Sequence, residues 1–383
     1  MKTLPPVLAI LLCGTVSVLA ADHDDSVLVH EMKNKRIPNV PVIRYDGNNA
    51  GMYTTLLGAA LQSIGEECNR AKLTALSGAG NRFCWVDGKW HGGCEMPAAI
   101  NEAPFETERR VLNAIGWKAK YVTVQRDTNG HYLNTDPGQI RRDFVESMDK
   151  GFPVIAYLVK RADCNVNLYF GYENDGQKII SYEYNKGLEP GVATNNETPV
   201  SEDNWEDNIA GYIVFQEKEE AASERNTALS AFTWISGHAG RTTEINGKLV
   251  GFAAWKSYLH LLEHDDFSEV SSEDVKKRFG IYCDGLCQIW ERSEALDYYR
   301  SLAEKFPEWK YELNIAVAAL NACAWYGGFV WTEGFSFDNA GLEKFRDPAA
   351  RKSLADAGRV AMLNDMEAVR QFEKILKKEG RIK

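Results

Sequence analysis

The change of hydrophobic pattern near residue 217 constrains the fold of this 383-residue chain more than any other feature. Before it, runs with helical spacing alternate with short apolar runs that are typical of strands. A charged stretch, EKEEAASER at 217–225, follows, and beyond it the apolar residues recur at helical spacing only. The pattern predicts an α+β domain over residues 40–217 and an all-α helical domain over residues 218–383.

Turn and cap residues place the elements of the α+β half. Helices are expected over 52–64 and 106–115, and a third over 137–150, where Asp136 is the N-cap and Pro137 the first residue. The apolar runs predict four strands, at 154–159, 166–172, 178–183 and 210–215. Between the second and third strands, Asp175 and Gly176 supply the positive φ angles of a hairpin turn. The expected architecture is a helix packed on an antiparallel sheet.

The N-terminus has the pattern of a secretory signal peptide over residues 1–20. Lys2 precedes an apolar run, LPPVLAILLCGTVSVLA, which ends in small residues. We therefore expect a polar tether over 21–39 and export to the periplasm or the extracellular space. The net charge is −10 without basic clusters, so neither nucleic acid nor, once the signal is removed, a membrane is an expected partner.

The loop CWVDGKWHGGC, at residues 84–94, holds two of the seven cysteines that would remain after cleavage. In an oxidising compartment a disulfide between Cys84 and Cys94 is the preferred interpretation. The alternative is a thiol activated by His91. Two cysteines and one histidine give only weak support for a zinc site, because no fourth ligand is evident.

Two further groups of residues suit metal ions weakly. A mature terminus Ala21-Asp22-His23 would offer an amine, two amide nitrogens and an imidazole to copper or nickel. His260 and His264 are four residues apart and can share a helix face, although such a charged helix end is more often solvated. No cofactor is expected.

Several short motifs together carry a family resemblance. They are a helix that begins near Gly51-Met52, GFPVI at 151–155, NVNLYFGYENDG at 165–176, LTALSGAGNRFCW at 73–85 and AIGW at 114–117. With them, the first half resembles the papain-like bacteriocin-leader-peptidase clan. It is similar in particular to the amino-terminal domain of the butirosin-biosynthesis protein H family. The second half, with GFAAW at 251–255, looks like the helical domain of uncharacterised relatives. The resemblance implies a papain-like cysteine-hydrolase fold followed by a helical domain.

The resemblance also implies where the catalytic groups should be. Such enzymes carry a cysteine at the helix N-terminus, where backbone N–H groups favour the thiolate, a histidine base on a strand, and an orienting acid on the next strand. The matching positions here hold Met52, Asn165 and Glu183, and Arg44 stands where a glutamine donates to the oxyanion. The resemblance thus implies a catalytically degenerate protein. Its former active-site cleft, lined by Arg44, Asn49, Asn165 and Glu183, would bind a peptide-like or amide-bearing small molecule.

Two alternatives stay open beside this non-catalytic interpretation. In the first, the protein is an acyltransferase or amidohydrolase with Cys84 or Cys94 as nucleophile and His91 as base. In the second, it is an interaction protein whose helical domain is the working surface.

Overall fold

An antiparallel sheet forms the centre of the first half of the protein. The computed structural model describes residues 32–42, 52–67, 69–87, 101–159, 166–182 and 199–383. Within these residues the sheet has seven strands: β1 Lys35–Arg36, β3 Trp117–Thr123, β4 Val154–Leu158, β5 Val166–Glu173, β6 Lys178–Ser181, β7 Val200–Asp203 and β8 Ile209–Lys218. Their order is β3-β8-β4-β5-β6-β7, with β1 paired to β5. This confirms the expected α+β class and the antiparallel sheet.

Helices cover the central strands of the sheet. Helix α1, Met52–Ser63, packs on β4 and β5, and α4, Pro137–Asp149, packs on β8, β5 and β4. Phe144 of α4 contacts the rings of Tyr169 and Tyr212. Every residue of β4 is buried, as expected for a central strand that is covered on both faces. Two shorter helices, α2 Arg70–Ser77 and α3 Glu106–Ala114, complete this half.

The local signals in the sequence predicted these elements well. Helix α4 begins as expected, because the Asp136 side chain accepts a hydrogen bond from the Gln139 N–H at 2.8 Å and Pro137 is the first helical residue. Strands β4, β5, β6 and β8 overlap the four predicted runs. The turn between β5 and β6 has positive φ angles of 54° at Asp175 and 85° at Gly176, and Asn174 before them has 52°.

The second half is helical, also as expected. Its helices among the described residues are α5 Glu224–Ala239, α6 Gly251–His264, α7 Ser272–Trp290, α8 Leu296–Lys305, α9 Lys310–Thr332, α10 Asn339–Arg346 and α11 Pro348–Lys378. The N-cap of α11 is Asp347, whose side chain accepts from the Ala349 N–H at 2.9 Å. Helix α11 packs along α9, α6 and α5 and organises this half.

Among the residues that the structure describes, one helical stretch, 307–332, is long and apolar enough to span a membrane by length and composition alone. Half of the most apolar 18-residue segment in this stretch is buried inside the protein. Helix α9, which makes up most of this stretch, packs against α7, α8 and α11. A central helix of a folded helical core has the same properties, so the stretch is weak support for a membrane span.

Packing crosses the predicted domain boundary. Strand β2, Cys84–Trp85, pairs with β9, Leu249–Val250, and Phe83 stacks on Trp255 with ring centroids 4.7 Å apart. Residues of α5 and α8 belong to the same hydrophobic core as the sheet. The described residues from Lys33 to Lys383 therefore form one compact unit, and the division at 217 and 218 stays a prediction.

Candidate functional site

The first turn of α1 lies near the end of β4. Tyr53, the second residue of α1, is 1% exposed, and its pKa is raised well above the usual value by burial and then by the charge of Glu108. Tyr157 on β4 pairs with Val166, the first residue of β5. Since the Tyr53 charge also acts on Tyr157, the start of α1, the end of β4 and the start of β5 lie close together, at one end of these two central strands.

Glu108 of α3 places a buried carboxyl group near the end of these strands. It accepts hydrogen bonds from the Tyr157 hydroxyl and, at 2.9 Å, from the Asn101 side-chain amide. Thr107 holds that amide in place, because its hydroxyl donates to Asn101 Oδ1 at 2.5 Å. Burial raises the pKa of Glu108, while the hydrogen bonds from Tyr157 and Asn101 oppose the shift.

Two hydroxyl groups near Glu108 have no hydrogen-bond partner in the described part of the chain. They belong to Tyr53 and Tyr121, and both oxygen atoms are buried. The guanidinium of Arg109 lies over the Tyr121 ring, 4.3 Å from its centroid. A buried polar group without a partner costs about 1–3 kcal/mol, so such groups usually have a functional reason or an additional partner.

We call Tyr53, Glu108, Tyr121 and Tyr157 the tyrosine–glutamate cluster. It combines a carboxyl group, whose raised pKa favours its neutral form, with hydroxyl groups that can both donate and accept. Such a set can bind an amide, which carries one donor and one acceptor. It contains no described nucleophile, since a tyrosine with a pKa raised by burial is a poor one.

The structure tests few of the site residues predicted from the sequence. Met52 is the first residue of α1, as expected, although its side chain is not described. Nine further predicted positions lie outside the described residues: Ala21, Asp22, His23, Arg44, Asn49, His91, Cys94, Asn165 and Glu183. The ligand-binding cleft, the copper or nickel site at the mature N-terminus and the disulfide between Cys84 and Cys94 therefore stay predictions.

Cys84 is described, and its surroundings do not favour a nucleophile. It is fully buried on β2, and burial raises the pKa of its thiol to about 12, with the charge of Asp284 as the next cause. Its backbone N–H donates to Gln288 Oε1 at 2.8 Å, and its carbonyl accepts from Gln288 Nε2 at 3.1 Å. A thiol with this pKa carries very little thiolate at neutral pH.

The histidine pair His260 and His264 shares a face of α6, with ring centroids 4.3 Å apart. His264 Nδ1 lies 2.9 Å from the backbone carbonyl oxygen of His260. Across the described residues, no group of three or more histidine, cysteine or acidic side chains is arranged to hold a metal ion. Among these residues the pair is thus a two-residue contact at the end of α6, without a third ligand.

The sequence analysis did not identify the tyrosine–glutamate cluster. One signal was present, because Glu108 shares the apolar face of α3 with Val111, Leu112 and Ile115 at helical spacing. An acidic residue on such a face is a candidate for a buried and functional group. The tyrosines gave no comparable signal, since a buried tyrosine is ordinary in a core.

Comparison of the sequence with models of known protein families and with curated proteins gave no match.

Proposed function

We propose that this chain is an exported, non-catalytic papain-like protein that binds a peptide-like or amide-bearing small molecule. The ligand would contact the tyrosine–glutamate cluster at the start of α1. Support for the papain-like part comes from the arrangement of α1 on the neighbouring antiparallel strands β4 and β5. In papain-like enzymes the nucleophile belongs to the first residue or two of such a helix. Here that position is Met52, whose thioether cannot act as a nucleophilic thiolate.

The observation that carries the binding proposal is the Tyr53 hydroxyl. It is buried, it has no partner among the described residues, and it belongs to the residue that follows Met52. Glu108 is close enough to raise the pKa of Tyr53. An amide carbonyl that accepts from Tyr53 would remove the cost of the unpaired hydroxyl. The amide N–H could then donate to Tyr121 or to the Glu108 carboxyl.

The enzyme alternative receives less support. Its described nucleophile, Cys84, is buried on β2 with a raised pKa, and β2 packs against the helical half rather than beside Tyr53. The interaction alternative is favoured by exposed apolar side chains on α9 and α11, namely Trp325, Val360 and Leu363, which are 65%, 59% and 60% exposed. It becomes the preferred function if the ligand test below fails.

The test is a thermal-shift screen of the protein against capped dipeptides, free amino acids and polyamines. We expect capped dipeptides to raise the unfolding midpoint in a dose-dependent manner, because a ligand that binds only the folded state stabilises it by mass action. Tyr53→Phe should abolish the shift. It should leave the stability of the ligand-free protein unchanged or higher, because the variant removes an unsatisfied hydroxyl.

Tyr298→Phe is the matched control. Tyr298 is also a buried tyrosine whose hydroxyl has no partner in the described structure, but it lies on α8. This variant should keep the full ligand shift. The absence of a shift with every compound, or an equal shift in Tyr53→Phe and the wild type, would contradict binding at the cluster. Turnover of an amide substrate would contradict the non-catalytic part of the proposal.

A further inference from the structure

A cavity of about 620 Å³ opens between α3, α5 and the end of the chain. Its lining includes Glu106 and Arg110 from α3, Ser230 and Trp234 from α5, and Arg381. The volume lies within the range of small-molecule sites. We call this cavity the arginine groove. None of its lining residues belongs to the tyrosine–glutamate cluster, although the charge of Arg110 lowers the pKa of Glu108 in that cluster.

The guanidinium of Arg110 is held in one orientation. Its Nε donates to the Leu76 carbonyl at 3.2 Å, and its Nη2 donates to the Ser77 carbonyl at 2.9 Å. It also lies over the Trp234 ring, 4.3 Å from the centroid. Its third nitrogen, Nη1, has no hydrogen-bond partner in the described structure. A cation fixed in this way loses little conformational entropy when it binds a ligand.

Trp234 is itself fixed and supports this orientation. It stacks on His238 with centroids 4.7 Å apart and an interplanar angle of 10°. Its edge packs against Gly78, where a Cβ atom would lie only 2.0 Å from the indole. Gly78 also has a φ of 74°, so two independent constraints require glycine here. The indole therefore acts as a rigid platform for Arg110.

The groove carries more positive than negative charge. In the described structure neither Arg110 nor Arg381 has a carboxylate within ion-pairing distance, and Arg381 donates to the Asn226 side chain at 2.8 Å. The acidic lining residue, Glu106, accepts from the backbone N–H of Glu102 at 2.9 Å. Two unpaired guanidinium groups in one cavity are notable in a chain with a net charge of −10.

We propose that the arginine groove binds a small molecule that carries an oxyanion, either a carboxylate or a phosphate. The oxyanion accepts hydrogen bonds from Arg110 Nη1, and Arg381 supplies a second cationic contact. Guanidinium groups bind both kinds of oxyanion through charge-assisted hydrogen bonds, which are about twice as strong as neutral ones. The hydroxyl of Ser230 can bind the polar remainder of the ligand.

Isothermal titration calorimetry on the full chain tests the proposal, with sodium phosphate and sodium glutarate as separate probes and sodium chloride as the reference. We expect saturable binding of one or both oxyanions and none of chloride. Binding of phosphate alone assigns a phosphorylated ligand, and binding of glutarate alone assigns a carboxylate. Arg381→Gln should weaken binding about tenfold, which corresponds to about 1.4 kcal/mol. Arg110→Gln should weaken it at least as much.

Arg300→Gln is the matched control, because Arg300 is exposed and pairs with Asp297 within α8. It should bind the probes as the wild type does. Arg381 is exposed at the chain end, so its variant keeps the test valid even if Arg110→Gln fails to fold. The proposal is overturned if neither oxyanion binds, if Arg381→Gln binds as tightly as the wild type, or if Arg300→Gln weakens binding equally.

Discussion

His238 is a buried imidazole at the end of α5, and its environment opposes protonation. It is 5% exposed, stacks on Trp234 and forms a hydrogen bond with the backbone of Phe83. The pKa of His238 is lowered from 6.5 to about 3, chiefly by burial; the hydrogen bond with Phe83 opposes this shift, and the nearby charges of Arg292 and Arg82 add to it. In the folded protein His238 is therefore neutral at every pH above about 4.

This depressed pKa predicts a pH-dependent stability. Between the folded pKa of about 3 and the unfolded value of 6.5, the unfolded state binds more protons, so stability falls as the pH falls. His238 alone should cost the protein about 2 kcal/mol of unfolding free energy between pH 7 and pH 5. Urea unfolding of the wild type and of His238→Gln at both pH values measures this, because other titrating groups cancel in the difference. Equal pH dependence in the two proteins would contradict the prediction.

At the scale of single residues, the sequence predicted which residues cap a helix or form a turn better than which side chains meet in the folded core. Asp136 and Asp175 were assigned correctly, because each acts through its own backbone neighbours. Glu108 and Tyr53 were missed because their importance depends on each other. They are 55 positions apart in the sequence and meet only when α1 and α3 are packed.

At the scale of elements, long periodic segments were predicted and short paired ones were not. Helices α1 and α4 and strands β4, β5, β6 and β8 all carry clear periodicity or turn signals. Strands β2 and β9 have two residues each and are about 165 positions apart, so no local sequence pattern predicts them. The edge strand β3 was missed, although its sequence WKAKYVT begins with the alternation of apolar and polar residues that is typical of a half-buried strand.

Strand β2 depends on a side chain in place of a neighbouring strand. One edge of β2 pairs with β9, and Gln288 of α7 satisfies the Cys84 N–H and C=O groups. Gln288→Met keeps the side-chain length but leaves both buried backbone groups unpaired. We expect it to destabilise the protein by about 2–4 kcal/mol, measured by urea unfolding. Gln62→Ala, on the exposed face of α1, should change stability by less than about 0.5 kcal/mol. A near-neutral Gln288→Met would show that β2 does not need this contact.

At the scale of the whole molecule, a buried ion pair and a neighbouring hydrogen bond join the two halves. Arg82, in the segment before β2, pairs with Glu291 at 3.0 Å, and both side chains are almost fully buried. Arg292 pairs with Asp365 of α11 at 2.8 Å and also donates to the Arg82 carbonyl at 2.7 Å. Removing one partner of a buried pair leaves an uncompensated charge and costs about 3–5 kcal/mol. Separation of the segment around β2 from the helical half would therefore have a large free-energy cost.

This arrangement predicts that residues 33–383 unfold in a single transition, although a chain of this length usually unfolds in steps. Without the segment 78–87, the helical half would expose Trp255, leave Glu291 without Arg82 and remove one hydrogen-bond partner of Arg292. Urea unfolding followed by far-ultraviolet circular dichroism and by tryptophan fluorescence should give coincident curves. A fragment of residues 218–383 should show no cooperative transition. Two separate transitions in the full chain, or cooperative unfolding of the fragment, would instead establish the boundary at 217 and 218 as one between independent domains.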